Sequence, residues 1–107
     1  MAYQRILTIQ DISCVGQCSL TVALPILSAC GHETAVLPAA VLSTHTGRFQ
    51  GYTFRDLTED MPAILRHWER EGLDFSAVYT GYLASARQIA LVRDVIRSRL
   101  RPGGVLI

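Results

Sequence analysis

Arg5-Ile6-Leu7-Thr8-Ile9-Gln10, running into Asp11-Ile12-Ser13-Cys14-Val15-Gly16-Gln17, is the stretch on which the fold turns. Its first six residues form a short apolar run rich in β-branched side chains, and the polar segment after them contains a glycine. That order predicts a strand feeding a loop. From Ser19 to Cys30 the apolar residues are almost continuous, which predicts a well-buried helix stopped by Gly31 and kinked at Pro25, where one backbone donor is missing.

Working outward, Thr34 to Leu42 has the composition of a second strand, with Pro38 forcing an edge or an irregular position. Ser43-Thr44-His45-Thr46-Gly47 then reads as a polar loop, and Phe49 to Phe54 as an aromatic, glycine-containing covering segment. Thr58 is placed to cap a helix whose first turn holds Glu59 and Asp60, and Met61, Leu65 and Trp68 recur at helical spacing up to Gly72. Trp68 is read as core packing. Phe75 to Thr80 is a third strand, and Ser85-Ala86-Arg87-Gln88 matches a capping box that opens another helix. Arg97, Arg99 and Arg101 suit the negative end of that helix, Pro102-Gly103-Gly104 stops it, and Val105-Leu106-Ile107 begins a further strand.

Strand and helix thus alternate along the chain, which calls for right-handed crossovers and an α/β fold: a mostly parallel sheet with flanking helices. At 107 residues, half of them hydrophobic, the chain has length for one core, so residues 1–107 are expected to form a single unit. Ten Lys and Arg against nine Asp and Glu leave a formal charge of +1, giving no electrostatic footprint for nucleic acid or an anionic membrane surface. No apolar run approaches the roughly 20 residues that cross a bilayer. Met1 to Arg5 lacks the features of a secretory leader, so a cytoplasmic location is expected. Cys14, Cys18 and Cys30 are an odd number in such a chain and are expected as reduced, buried or half-buried thiols; the spacing of Cys14 and Cys18 is the only hint of metal, and no second Cys pair completes a zinc site.

In a sheet of this kind ligands gather beyond the carboxyl ends of the strands. Three segments meet there: Asp11 to Gln17, Ser43 to Gly51, and Gly81 to Ser85. They carry a carboxylate (Asp11), hydroxyls (Ser13, Thr44, Thr46), an imidazole (His45) and a phenol (Tyr82), a set suited to a flat, polar heteroaromatic molecule. The first loop has one glycine where a dinucleotide fingerprint needs three. Neither a Walker A sequence nor a nucleophile elbow is present.

Ile6 to Gly16, Val41-Leu42-Ser43-Thr44-His45-Thr46-Gly47 and Tyr79-Thr80-Gly81-Tyr82-Leu83 together resemble the successive motifs of pyridoxal (pyridoxine, pyridoxamine) kinases of the ribokinase-like superfamily, and the resemblance spans the whole chain. It implies the amino-terminal, substrate-side part of such a kinase, with Asp11, His45, Thr46, Gly47 and Tyr82 around the pyridine ring and Phe49 near the pocket mouth. Asp11 departs from the family, in which a serine often stands there. The implied reaction moves the γ-phosphoryl of ATP onto the hydroxymethyl group of a B6 vitamer, with Mg2+ as the metal. The family's catalytic aspartate, in a Gly-x-Gly-Asp motif, has no counterpart up to Ile107, so the resemblance places no catalytic, nucleotide or metal residue here and implies a homodimer for the complete enzyme. Two other readings fit the same residues: a hydroxymethylpyrimidine kinase fragment, and a non-catalytic pyridoxal-binding or assembly module.

Overall fold

Along β1 (Arg5–Val15), Leu7 and Ile9 alternate with Thr8 and Gln10, and all four are buried, so the strand is covered on both faces. Only a central strand has that environment. The computed structural model describes residues 4–107; residues 1–3, part of the stretch read as lacking a leader, lie outside the described residues. After β1 come α1 (Leu20–Ala29), β2 (Glu33–Thr44), β3 (Phe54–Asp56), α2 (Met61–Arg70), β4 (Phe75–Thr80), α3 (Ala86–Arg99) and β5 (Leu100–Leu106). The sheet order is β3-β2-β1-β4-β5. β1 pairs in parallel with β2 and β4, and β4 with β5, while the short β3 folds back antiparallel on β2. The mostly parallel α/β sheet expected from the sequence is the one observed.

The Leu7 and Ile9 face carries the core. Leu37, Phe75 and Val78 from neighbouring strands pack there against Met61 of α2 and Val92 and Val95 of α3, with Trp68 partly buried beside them. Trp68 meets Phe75 edge to face at 5.7 Å, a preferred aromatic geometry. Full burial of each of these side chains stabilises the fold by about 1.5–3 kcal/mol. On the opposite face Gln10 donates to the Thr8 hydroxyl at 2.9 Å, so two buried polar groups satisfy each other. α1 lies on that second face, with Val22, Ala23, Ile26 and Leu27 bordering a groove floored by Gln10 and Tyr79.

Several local expectations are corrected. β1 does not end at Gln10 but continues through Val15, because β2 continues beside it to Thr44 and offers backbone partners that outweigh the polar side chains. The register slips between Gln10↔Pro38 and Ile12↔Val41, leaving Asp11 opposite two residues; Pro38, without an N–H, stands at that irregularity. α1 is not well buried: among its residues only Leu20 is, and Ile26 is 57% exposed, because the helix has the sheet on one side and no second layer over it among the described residues. All three cysteines are exposed, Cys14 on the outward side of β1 next to buried Ser13, Cys18 in the connection to α1, and Cys30 at the end of that helix. Thr58 does not cap α2. Its hydroxyl and N–H both go to the Asp56 carboxylate, and Asp60 takes the N-cap position. Gly72, at φ 69°, does follow the end of α2. The Ser85 hydroxyl accepts from the Gln88 N–H as a capping box requires, but the Gln88 side chain points elsewhere. α3 stops at Arg99, and Pro102-Gly103-Gly104 fall inside β5, where the pairing with β4 is irregular. No helix among the described residues is long and apolar enough to cross a membrane.

Candidate small-molecule site

From β1 the chain crosses to β2 on one side and later reaches β4 on the other side of β1. Right-handed crossovers then send α1 to one face and α2 to the other, and the loops part at the carboxyl ends of β1 and β4. A cavity of about 420 Å3 opens at that end, within the size range of small-molecule pockets.

Asp11, His45, Thr46 and Tyr82 all line it, joined by Ser13, Cys18, Ser19, Tyr52, Phe54 and Gln88, with Ala39, Ala40, Leu42 and Ala84 as apolar floor. Gly47 does not line it and lies beside the His45 ring. Phe49 is also outside the lining; its ring meets His45 edge to face at 5.2 Å. Thr44 is turned away from the cavity, its hydroxyl donating to the His45 carbonyl at 3.1 Å.

Each wall has a local cause. The His45 N–H donates to the Val15 carbonyl at 3.0 Å, which fixes its backbone against the end of β1. Its ring then lies over Gly16, where a Cβ would stand 1.9 Å from Cδ2, so only glycine permits this approach. The excursion through residues 45–52 is closed at its base, since the Ser43 N–H donates to the Thr53 carbonyl at 3.1 Å and the Ser43 hydroxyl accepts from the Thr53 N–H at 2.8 Å. That closure brings Tyr52 and Phe54 over the cavity. Tyr82 follows a similar pin: the Gly81 N–H donates to the Ile9 carbonyl at 2.9 Å, and a Cβ on Gly81 would come within 2.8 Å of Gln10 Cγ. Tyr82 itself is 78% exposed, a free aromatic plate at the rim.

Sequence reasoning missed Tyr52, Phe54, Ser19 and Gln88 as lining groups. Tyr52 and Phe54 carried a signal, being aromatics in the segment read as a cover. Gln88 was hidden by its fit to a capping box. Ser19 sits at φ 51° before α1 and bridges back to Ile12, a feature with no mark in the sequence. Among the described residues no three His, Cys, Asp or Glu side chains gather into a group able to hold a metal ion.

The fold is an α/β sheet of the ribokinase-like class with a cavity of small-molecule size at its strand ends. No protein-family model and no curated protein sequence matches the chain. Solved structures do. A candidate phosphomethylpyrimidine kinase from Bacteroides thetaiotaomicron, crystallised in one form with pyridoxal, is 43% identical over 98% of this chain, with a TM-score of 0.91 and 36% of its own length covered. Pyridoxal kinase from Lactobacillus plantarum is 32% identical over 92% of this chain and 35% of its own, with a TM-score of 0.86. Pyridoxal kinase from Leishmania donovani, solved with ADP and pyridoxamine, shares the fold at a TM-score of 0.76 and 21% identity over 87% of this chain and 34% of its own. The chain is similar to these kinases, the pyridoxal kinases and their relatives, over nearly all of its own residues, and spans about a third of the length of the members it matches.

Proposed function

We propose that this chain forms the vitamin-side wall of a kinase that phosphorylates pyridoxal, pyridoxine or pyridoxamine at the hydroxymethyl group, using ATP, in vitamin B6 salvage. One observation carries the reading: the cavity is built from the same Ser-x-His-Thr and Thr-Gly-Tyr-Leu segments that resemble those of pyridoxal kinases, in a chain 43% identical to a protein crystallised with pyridoxal. A pyridine ring matches the lining chemically. Tyr82 offers a face for stacking, the Asp11 carboxylate and the Ser13 and Thr46 hydroxyls can bond the ring's polar substituents, and the His45 imidazole can hydrogen-bond from the side. Gly47, beside the His45 ring and outside the lining, completes the loop that carries His45 and Thr46.

Bound ATP with Mg2+ supplies the phosphoryl group and neutralises charge developing on it. In this reading the residues of this chain bind and orient the vitamin, while the donor and its metal are held by segments in the remaining length of a complete kinase, acting in the cytoplasm as a homodimer. The isolated chain is accordingly expected to bind without turnover.

Calorimetric titration with the three B6 vitamers and with hydroxymethylpyrimidine, all without ATP, tests the proposal. Saturable heat with preference for a B6 vitamer is expected. Preference for the pyrimidine, or no binding of any vitamer, would overturn it. Production of pyridoxal phosphate from ATP by the 107-residue chain would refute the division of labour.

A further inference from the structure

Gln88 stands in the first turn of α3 and is 1% exposed, an unusual burial for a primary amide. Such a group must place two donor hydrogens and an acceptor oxygen. Its Oε1 accepts from the Ala84 N–H at 2.9 Å, and its Nε2 donates to the Ala39 carbonyl at 3.2 Å and to Thr58 Oγ1 at 3.0 Å. The Thr58 hydroxyl spends its own hydrogen on Asp56, which also accepts from the Thr58 N–H at 2.6 Å. All donors therefore run one way, from Gln88 through Thr58 to the Asp56 carboxylate, and the hydroxyl is left no other orientation.

The three partners belong to different walls of the cavity. Ala84 ends the segment that carries Tyr82. Ala39 lies in β2 where its register with β1 slips. Thr58 and Asp56 close the end of β3, whose first residue is Phe54. Phe54, Tyr82, Ala39 and Ala84 all face the same cavity as Gln88.

We infer that Gln88 is a positioning residue of the site: one amide ties the Tyr82 segment, the β2 irregularity and the β3 cover together, and so sets the opening available to a planar ring. A side chain kept only for packing could be replaced by leucine without consequence for the loop. The amide cannot, since its loss leaves the Ala84 N–H without a partner and takes from the Ala39 carbonyl one of its two donors, the other being the Leu57 N–H at 3.0 Å. The ligand in this inference rests on the B6 reading above, whereas the geometry does not.

Two readouts separate them. In the ligand-free chain, Gln88→Leu is expected to speed amide exchange at Ala84 by about tenfold or more relative to Val78 in the core, the loss of one buried hydrogen bond. It is also expected to weaken pyridoxal binding about tenfold by the same arithmetic. Gln88→Glu keeps the acceptor for Ala84 but lacks the donors, so protection at Ala84 returns while affinity does not. Unchanged exchange at Ala84, a rise shared equally with Val78, or equal pyridoxal affinity in wild type and Gln88→Leu would each overturn the inference. If wild type binds no vitamer but the exchange result holds, the B6 reading fails and the positioning role stands. Should Gln88→Leu not fold, Thr58→Val removes one acceptor while keeping the volume; loss of protection confined to Thr58 and Ala84 is expected, and its absence counts against the inference equally.

Discussion

Gly16 holds φ at 93° directly beneath the His45 ring, so two independent constraints meet at one position. An alanine there costs about 1–2 kcal/mol in backbone strain alone and drives the imidazole out of the cavity wall. Gly16→Ala is expected to lower the stability measured by urea denaturation by that amount and to weaken pyridoxal binding in calorimetry about tenfold. Asp56 gives a pH signature. The Thr58 hydroxyl first and then the Thr58 N–H hold its carboxyl below the usual range; burial opposes them by less, and the Arg87 guanidinium adds the smallest lowering. The folded value being the lower one, the contribution is complete above the ordinary carboxylate pKa of about 4 and is lost as pH falls through the depressed value. Asp56→Asn keeps an acceptor for Thr58 without a titrating group, so the acid limb of its urea midpoint is expected to be flatter than that of wild type below about pH 4. Equal acid limbs would count against the assignment. At this scale the sequence showed the residue types of Asp11, His45, Thr46 and Tyr82 and their place after strands. It could not show that Gln88 would leave its cap for a buried network, because the competing partners, Ala39 and Thr58, are distant in sequence.

Element boundaries follow from competition between side-chain preference and backbone pairing. β1 runs on through Asp11 and Ser13 because β2 supplies partners there, whereas α3 begins where Ser85 offers a cap. Ser85→Ala is expected to reduce stability by about 1 kcal/mol in chemical denaturation, since its hydroxyl accepts from the Gln88 N–H at 3.2 Å. Leu7→Ala, on the central strand and fully buried, is expected to cost about 2–5 kcal/mol in the same assay. Periodicity was enough to reveal α2 and α3, each having one apolar face, while β4 was marked by its strand composition. It misjudged α1, whose continuous apolar run signals two covered faces while the described residues cover one. It also read Pro102-Gly103-Gly104 as a stop, when the parallel partner β4 draws those residues into β5 despite their composition.

At the scale of the whole molecule the apolar surface is distributed unevenly. Val105, Leu106 and Ile107 are more than half exposed, as are Ile26 and Phe54, and β5 has a strand on one side only among the described residues. An open edge with apolar side chains is a template for another chain. Sedimentation of the 107-residue chain is expected to show association that rises with concentration, and Val105→Lys is expected to reduce it; a monodisperse monomer at all concentrations would contradict this. The alternation of strands and helices was legible at this scale, and so was the rim at the strand ends. The antiparallel β3 was not, because three residues carry no usable period.

The position of β1 between β2 and β4 has a consequence in time. Its two partners are made at very different moments, β2 soon after and β4 only when Phe75 and its successors have been added. At roughly 5–20 residues per second, the ribosome leaves one side of the central strand bare for several seconds. The wall of the cavity that bears Tyr82 is equally late. A nascent chain therefore holds half a pocket and an unclaimed strand at once, the interval in which a chaperone has most to protect.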